Sequence, residues 1–138
     1  IALLEGRAAH GATCRAGDAD VAALQVLHQR LQQCAAEGRI TDYYAANHAI
    51  HEAFITLADN RWLAQAIGDL RKILRLARLQ QLHAPGRLQQ SLAEHLAVFD
   101  ALKRRDSEAA EAAMRTHLLH QREALRDVAR NQQSRLNP

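Results

Sequence analysis

The side chains with the clearest capacity for chemistry are histidines, of which the chain has eight among 138 residues. His51 lies four residues after Asn47, so on a helix the imidazole and the amide project from the same face, one turn apart. His95 and His117 fall on two later helical segments, on either side of a turn near Asp106. Imidazole nitrogens and amide oxygens are both metal ligands. Asn47 and the three histidines therefore form a candidate metal site.

The positions of His95 and His117 along the chain place both rings at one height in the predicted hairpin. Roughly ten residues separate His95 from the turn and about eleven separate the turn from His117, or ~15–17 Å each way at the helical rise. A single histidine on an apolar face is usually a core residue with one hydrogen bond. Core packing alone, however, does not require two histidines at the same height, whereas a shared metal does. Imidazole suits zinc, nickel, copper, iron or cobalt, so the residue types alone do not choose the metal. Zinc is the ion we expect, with nickel, manganese, iron or cobalt as alternatives.

Two other classes of protein remain open. Three histidines and an open position would suit a small metallohydrolase, whose metal activates water. This alternative lacks an obvious general base, because Glu52 and Glu94 point about 100° away from their neighbours His51 and His95 on a helix. Neither the Glu-x-x-His pairs of di-iron bundles nor a His-Glu-x-x-His motif is found. The third class is a metal-free helical interaction module.

A second group of residues is a stripe of arginines on the fourth helical segment. Arg71, Arg75 and Arg78 follow one another at i, i+4 and i+7, which places them on one helix face. Such a stripe is often a solvated face. If some of the three enter the bundle, their paired donors would bind the carboxylate of an organic acid.

These residues must be positioned by helices. Hydrophobic residues make up 48% of the chain and aromatic residues only 4%, with alanine and leucine dominant, and this composition predicts an all-α fold. Asp18, Thr41 and Asp106 or Ser107 are predicted to cap helices, and Gly11 is predicted to end the first one. Six helices follow from these signals, and short connections between them predict an antiparallel bundle. Their predicted ranges are 1–10, 18–37, 41–58, a fourth from the Asp59-Asn60 turn to about 83, 88–104 and 107–133.

Charge and cysteine content narrow the possible partners. The net charge is +3, but the arginines alternate with acidic residues along every segment, so we expect no direct binding of nucleic acid by this segment. Cys14 and Cys34 lie far apart and form no Cys-x-x-Cys motif, which favours a reducing compartment. No apolar stretch of about 18 residues and no signal-peptide pattern is present, so we expect a cytoplasmic domain away from membranes. Because the chain begins at Ile1, we expect it to be a fragment of a longer protein.

An ordered set of short motifs resembles the FCD domain (the FadR C-terminal domain type), the effector domain of GntR-superfamily regulators. No single motif is decisive, but their order and spacing match along nearly the whole chain. Asn47 and Ile50 stand where the family typically has aspartate and phenylalanine. The motifs are Leu4-Glu5-Gly6-Arg7-Ala8-Ala9, Asn47-x-x-Ile50-His51, Asn60-x-x-Leu63, Pro85-Gly86-Arg87, Glu94-His95 and Asp106-x-x-x-Ala110-x-x-x-Met114-x-x-His117-Leu118.

The resemblance implies one sensor domain over residues 1–138, a bundle of six or seven helices around a central cavity, and no enzymatic activity. By position, Asn47, His51, His95 and His117 would hold a divalent metal, and a small organic acid would bind it and the arginine stripe. We also expect a homodimer, and DNA binding only through an N-terminal winged helix-turn-helix domain that this chain lacks. An amide at Asn47, where relatives have an acid, predicts a metal site that is weaker or depends more on an anionic effector.

Overall fold

The computed structural model describes residues 1–136, and within that range it contains six α-helices and no strand. The helices pack side by side as a bundle, so the predicted all-α fold is confirmed. None of these helices has the length and apolar character needed to cross a membrane. The helices are α1 (Ala2–Arg15), α2 (Asp18–Ala36), α3 (Ile40–Leu57), α4 (Arg61–Gln81), α5 (Arg87–Lys103) and α6 (Ser107–Leu136).

Helix α1 is longer than predicted, because Gly11 lies within it and does not end it. Ala12 and Thr13, beyond the predicted end, are buried, so tertiary packing extends the helix to Arg15. Gly11 faces the end of α3, where a side-chain Cβ would lie only 3.4 Å from the backbone of Ala58. The glycine therefore marks a close helix contact.

Small residues also bring α1 against α6, its most extensive neighbour. A Cβ added at Gly6 would lie 2.5 Å from Cγ of Arg115, so only glycine allows this approach without displacing the arginine. Ala9 and Ala12 are fully buried in the main core cluster on the same helix. Because α1 contacts α3 and α4 as well as α6, side chains of its first turns can reach the interior of the bundle.

Polar side chains start several helices at the predicted turns. The Asn60 side chain accepts a hydrogen bond from the backbone N–H of Leu63 (3.1 Å), and Asp106 accepts one from Ala109 (3.0 Å). The predicted caps of α2 and α3 are each displaced by one residue or more: Gly17 precedes α2, and α3 begins at Ile40. At Gly17, the side chain of Asp20 accepts the backbone N–H (2.8 Å), so the acid inside the first turn supplies the cap that Asp18 was expected to give.

Polar side chains are also buried inside the bundle, among the apolar residues of the core. This group is unusual because charged side chains are rarely buried without a partner, and it includes members from α1, α3, α4, α5 and α6. It contains the predicted site residues except Arg75, which is exposed, together with two acids that were not predicted to belong to the site. The members that concern the site are Glu5, Asn47, His51, Arg71, Arg78, His95 and His117, with the less deeply buried Glu94 beside His117.

Candidate metal and effector site

The structure brings His51, His95 and His117 together in the interior. Their ring centroids lie 5.0 Å (His51 to His95), 5.4 Å (His51 to His117) and 4.4 Å (His95 to His117) apart. One nitrogen from each ring lies within 4.8 Å of the corresponding nitrogens of the other two. All three side chains are buried. The three histidines could therefore hold a metal ion.

A buried carboxylate from α1 orients the first of these rings. Oε2 of Glu5 lies 2.5 Å from Nδ1 of His51, and its Oε1 accepts a hydrogen bond from Nη1 of Arg71 (2.7 Å). Burial raises the pKa of Glu5, but His51 and Arg71 outweigh burial and hold this pKa well below its usual range. Burial lowers the pKa of His51 to about 3, so its ring is neutral at physiological pH. The ionised acid therefore accepts Nδ1–H of a neutral ring, which leaves the lone pair on Nε2.

Glu94 on α5 does the same for His117. Its Oε2 lies 2.6 Å from Nδ1 of His117 and 3.1 Å from the guanidinium of Arg87, and its Oε1 lies 2.6 Å from Nδ1 of His120. Burial raises the pKa of Glu94, but the two imidazoles and the arginine lower it overall. Burial is the largest cause that lowers the pKa of His117, so this ring too is neutral and presents Nε2.

The remaining polar atoms at the centre have no protein partner. Nε2 of His51, Nε2 of His117, both ring nitrogens of His95 and Oδ1 of Asn47 are buried without a hydrogen bond. Burial is the largest cause that places the pKa of His95 well below its usual value. Each unsatisfied buried polar atom costs roughly 1–3 kcal/mol. The unpartnered nitrogens of the three clustered histidines, with Oδ1 of Asn47 on the same helix one turn before His51, are the donor set that a metal ion would satisfy.

This donor set fits a divalent ion. Nitrogens bound at ~2.0–2.1 Å to a tetrahedral zinc lie ~3.4 Å from one another. The three candidate nitrogens lie within 4.8 Å of one another, so small side-chain shifts would bring them to that distance. Neutral imidazoles are the protonation state that metal binding requires. The two acids beside His51 and His117 match the carboxylate–histidine–metal arrangement that fixes ring orientation in metalloproteins. A bound ion would act as a Lewis acid that attracts an anionic ligand.

The three arginines differ in burial and pairing, although all line one cavity of about 670 Å³ between α3 and α4. Arg71 is buried and is tied to Glu5. Arg75 is exposed. Arg78 is only 2% exposed, and its Nε has no partner. Among residues 1–136, no acid lies within salt-bridge distance of it. The stripe is therefore partly a solvated face and partly an internal cationic wall.

The cavity opens to the surface, and the three histidines are not among the residues that line it. Tyr44, His48 and Glu52 line it from α3, while the arginines line it from α4. Two of its lining residues connect it to the histidine centre. Arg71 donates to the Glu5 carboxylate that orients His51. The charges of Arg71 and Arg78 add to burial in lowering the pKa of His51.

Comparison with known families agrees with this architecture. The sequence model of the FCD domain matches residues 1–120. The chain belongs to the FCD domain family. FCD domains are the ligand-sensing domains of GntR-type transcription regulators, in which they bind small-molecule effectors. No curated protein matched the sequence.

Neither of the two orienting acids of this FCD domain was predicted as part of the site. Glu94 belongs to one of the motifs that carry the resemblance, but the only chemical role weighed for it from the sequence is that of a general base, which its direction away from His95 disfavours. Its direction is what lets it reach His117 on the next helix. Glu5 shares the buried face of α1 with Ala9 and Ala12, at i, i+4 and i+7. A single acid on an otherwise alanine-lined face was the signal that could have identified it, since such an acid needs a buried partner.

Proposed function

We propose that this FCD domain senses a small organic acid through a divalent metal, with zinc as the expected ion. His51, His95 and His117 would hold the metal, and Asn47 would supply a neutral oxygen ligand. The acid would enter the cavity between α3 and α4, pair with Arg78 and Arg71, and bring a carboxylate to the metal. The convergence of three neutral, buried imidazoles with unpartnered nitrogens is the observation that carries this proposal.

Arg78 supports the organic acid as the second ligand. Burial lowers its pKa to about 10, with a further contribution from the adjacent Arg71, so it remains charged at neutral pH. An unpaired buried cation is destabilising, and replacing it with an apolar residue should leave the fold as stable as before or more stable. A residue that costs stability and lines a cavity is best explained by the anion that it binds there.

The two alternatives from the sequence fit the geometry less well. A metallohydrolase needs a free base beside the metal-bound water. The carboxylates beside the histidines, Glu5 and Glu94, are each already occupied by imidazole and guanidinium donors. A metal-free interaction module would leave the buried ring nitrogens and Oδ1 of Asn47 without any partner. The sensor accounts for both observations.

Regulation would follow from a difference in effector affinity between two arrangements of the bundle. An effector that binds one arrangement more tightly shifts the population toward it, and only that difference can change DNA binding elsewhere in a regulator. The homodimer and the separate winged helix-turn-helix domain stay predictions of this proposal, as does a cytoplasmic location.

Metal analysis and calorimetry together test the proposal. The purified, untagged domain should contain stoichiometric metal, and the zinc-loaded form should bind at least one of a panel of citrate, malate and succinate. Arg78→Met should weaken that binding about 10–100-fold, since a hydrogen bond to a charged group contributes roughly 1.5–3 kcal/mol. Its free energy of unfolding should not fall. The exposed Arg75→Met is the matched control, and its effect should stay within about fivefold.

Failure of each part has a distinct appearance. A metal-free domain that cannot be loaded with zinc would reject the metal sensor. If Arg78→Met and the wild type bind the acid with equal affinity, Arg78 does not bind the effector and the arginine stripe is only a solvated face. A large loss of stability in Arg78→Met would show instead that this residue holds the fold.

A further inference from the structure

The Glu5 carboxylate joins three helices that are far apart in sequence. Glu5 belongs to α1, its first partner His51 lies 46 residues away on α3, and its second partner Arg71 lies 66 residues away on α4. All three side chains are at most 5% exposed. One partner is a candidate metal ligand and the other lines the effector cavity. The acid thus contacts both halves of the candidate site from an element that supplies none of its proposed ligands.

We infer that Glu5 is a positioning residue through which metal and effector hold α1 in place, an inference that rests on the proposed function. A metal on Nε2 withdraws electron density from the His51 ring and makes its Nδ1–H a stronger donor. The hydrogen bond from this N–H to Glu5 should therefore strengthen when metal binds. An anion that draws Arg71 toward the cavity would act on the same carboxylate through its other oxygen.

Thermodynamic linkage makes this connection reciprocal. If metal binding favours the docked position of α1, then a change that draws α1 away must weaken metal binding by the same factor. A second contact of α1 lies at Gly6, which packs against Arg115 of α6. Glu5 is thus the contact through which α1 responds to bound metal and effector. The contact between Gly6 and Arg115 does not depend on either ligand.

Glu94 provides the matched control for Glu5. It also orients a candidate ligand, His117, and it also accepts from an arginine, Arg87. However, all of its partners lie on α5 and α6, and none lies on α1. Replacing either acid with glutamine should weaken metal binding by about 10–100-fold, as is usual for residues that orient metal ligands. Only the Glu5 replacement should uncouple α1.

Hydrogen exchange of backbone amides, with and without saturating Zn²⁺, tests the inference. In the wild-type chain, zinc should slow exchange in α1 by tenfold or more beyond its effect on α2, which contributes neither a ligand nor an orienting acid. In Glu94→Gln at saturating zinc this extra protection of α1 should remain, and in Glu5→Gln it should be lost. A merely structural ion pair would protect α1 equally with and without metal.

Each outcome decides the inference. A wild-type chain that binds zinc without extra protection of α1 overturns it and leaves the proposed function standing. Loss of the extra protection in both glutamine variants also overturns it, because it would then depend on the metal site as a whole. A wild-type chain that binds no zinc overturns both. If Glu5→Gln does not fold, a lack of extra protection of α1 in the wild type still overturns the inference, and extra protection that is retained in Glu94→Gln still supports it.

Discussion

Two regions of the molecule use the same chemistry at different distances along the chain. Glu5 and Glu94 each accept Nδ1–H of a buried histidine, and each also binds an arginine. The partners of Glu94 lie within the α5–α6 hairpin and no more than 26 residues away. The partners of Glu5 lie on α3 and α4, 46 and 66 residues away. The α5 acid thus serves a local unit, whereas the α1 acid depends on the whole bundle being assembled.

This difference affects both stability and function. In the α5–α6 region, Arg87 has a second acceptor in Gln81 (2.8 Å), and His120 is partly exposed, so solvent and protein can share the role of the acid. In the α1 region Glu5 is the only carboxylate that the structure places within hydrogen-bonding distance of the buried Arg71. Charges buried in this way have few alternatives when a partner is removed.

The largest expected effect is therefore on stability in the α1 region. Glu5→Ala should lower the free energy of unfolding of the metal-free domain by about 3–5 kcal/mol, because it leaves the Arg71 guanidinium buried without its partner. Glu94→Ala should cost only about 1–3 kcal/mol, since Arg87 keeps its bond to Gln81. Urea unfolding followed by circular dichroism would measure both. Equal losses in the two variants would remove the distinction between a local and a bundle-wide acid.

The pH dependence of stability separates the histidines from the acids. Burial lowers the pKa of His51 and His95 in the folded state, so the unfolded chain binds more protons and stability rises with pH. The metal-free domain should be most stable above about pH 6.5, and each buried ring should cost about 2 kcal/mol between pH 6.5 and 5. Glu5 contributes little in that window, because its stabilisation is lost only as pH falls below the ordinary pKa of about 4.3.

Urea midpoints measured from pH 5 to 7.5 in the presence of a chelator would check this dependence. His95→Leu should flatten the curve, since the structure places no carboxylate beside this ring to offset its burial. His48→Leu, at an exposed position, should change the slope much less. A wild-type curve that is flat over this range would show that the central histidines are already satisfied without metal.

The sequence predicted the helices and the convergence of the histidines for clear physical reasons. Helical periodicity and turn residues are local signals, and the match in height of His95 and His117 follows from the arithmetic of one hairpin. The longer α1 was not predicted, because Gly11 as a helix end is a local rule that packing against Ala58 overrides. Glu5 was not predicted as a partner of His51, since nothing in the local sequence indicates which helix lies against α1.

The arginine stripe shows the same boundary between local and tertiary information. Spacing placed Arg71, Arg75 and Arg78 on one helix face, and all three line one cavity. The spacing could not show that Arg71 would pair with Glu5 from α1. Nor could it show that Arg78 would be buried with its Nε unpartnered. Their different roles depend on the neighbouring helices.

The smallest expected effect sharpens the comparison at the metal itself. Asn47→Asp replaces a neutral oxygen with a negative one and changes the size of the side chain little. Without effector, zinc should therefore bind about tenfold more tightly, which corresponds to ~1.4 kcal/mol of binding free energy. Malate should then increase metal affinity less than it does in the wild type, because the ion would be less positive. Competition with a chelator, with and without malate, measures both. Unchanged chelator resistance would show that Asn47 is not a ligand and that water or the effector supplies the oxygen.

The most direct test of the central claim is the metal content of the domain and of its histidine variants. Elemental analysis should find about one ion per chain in the wild type, as expected for a three-histidine site. His51→Ala, His95→Ala and His117→Ala should each lose most of that metal and the thermal stability that it provides. The exposed His48→Ala should keep both. Full metal content in all three interior variants would contradict the assignment of the site.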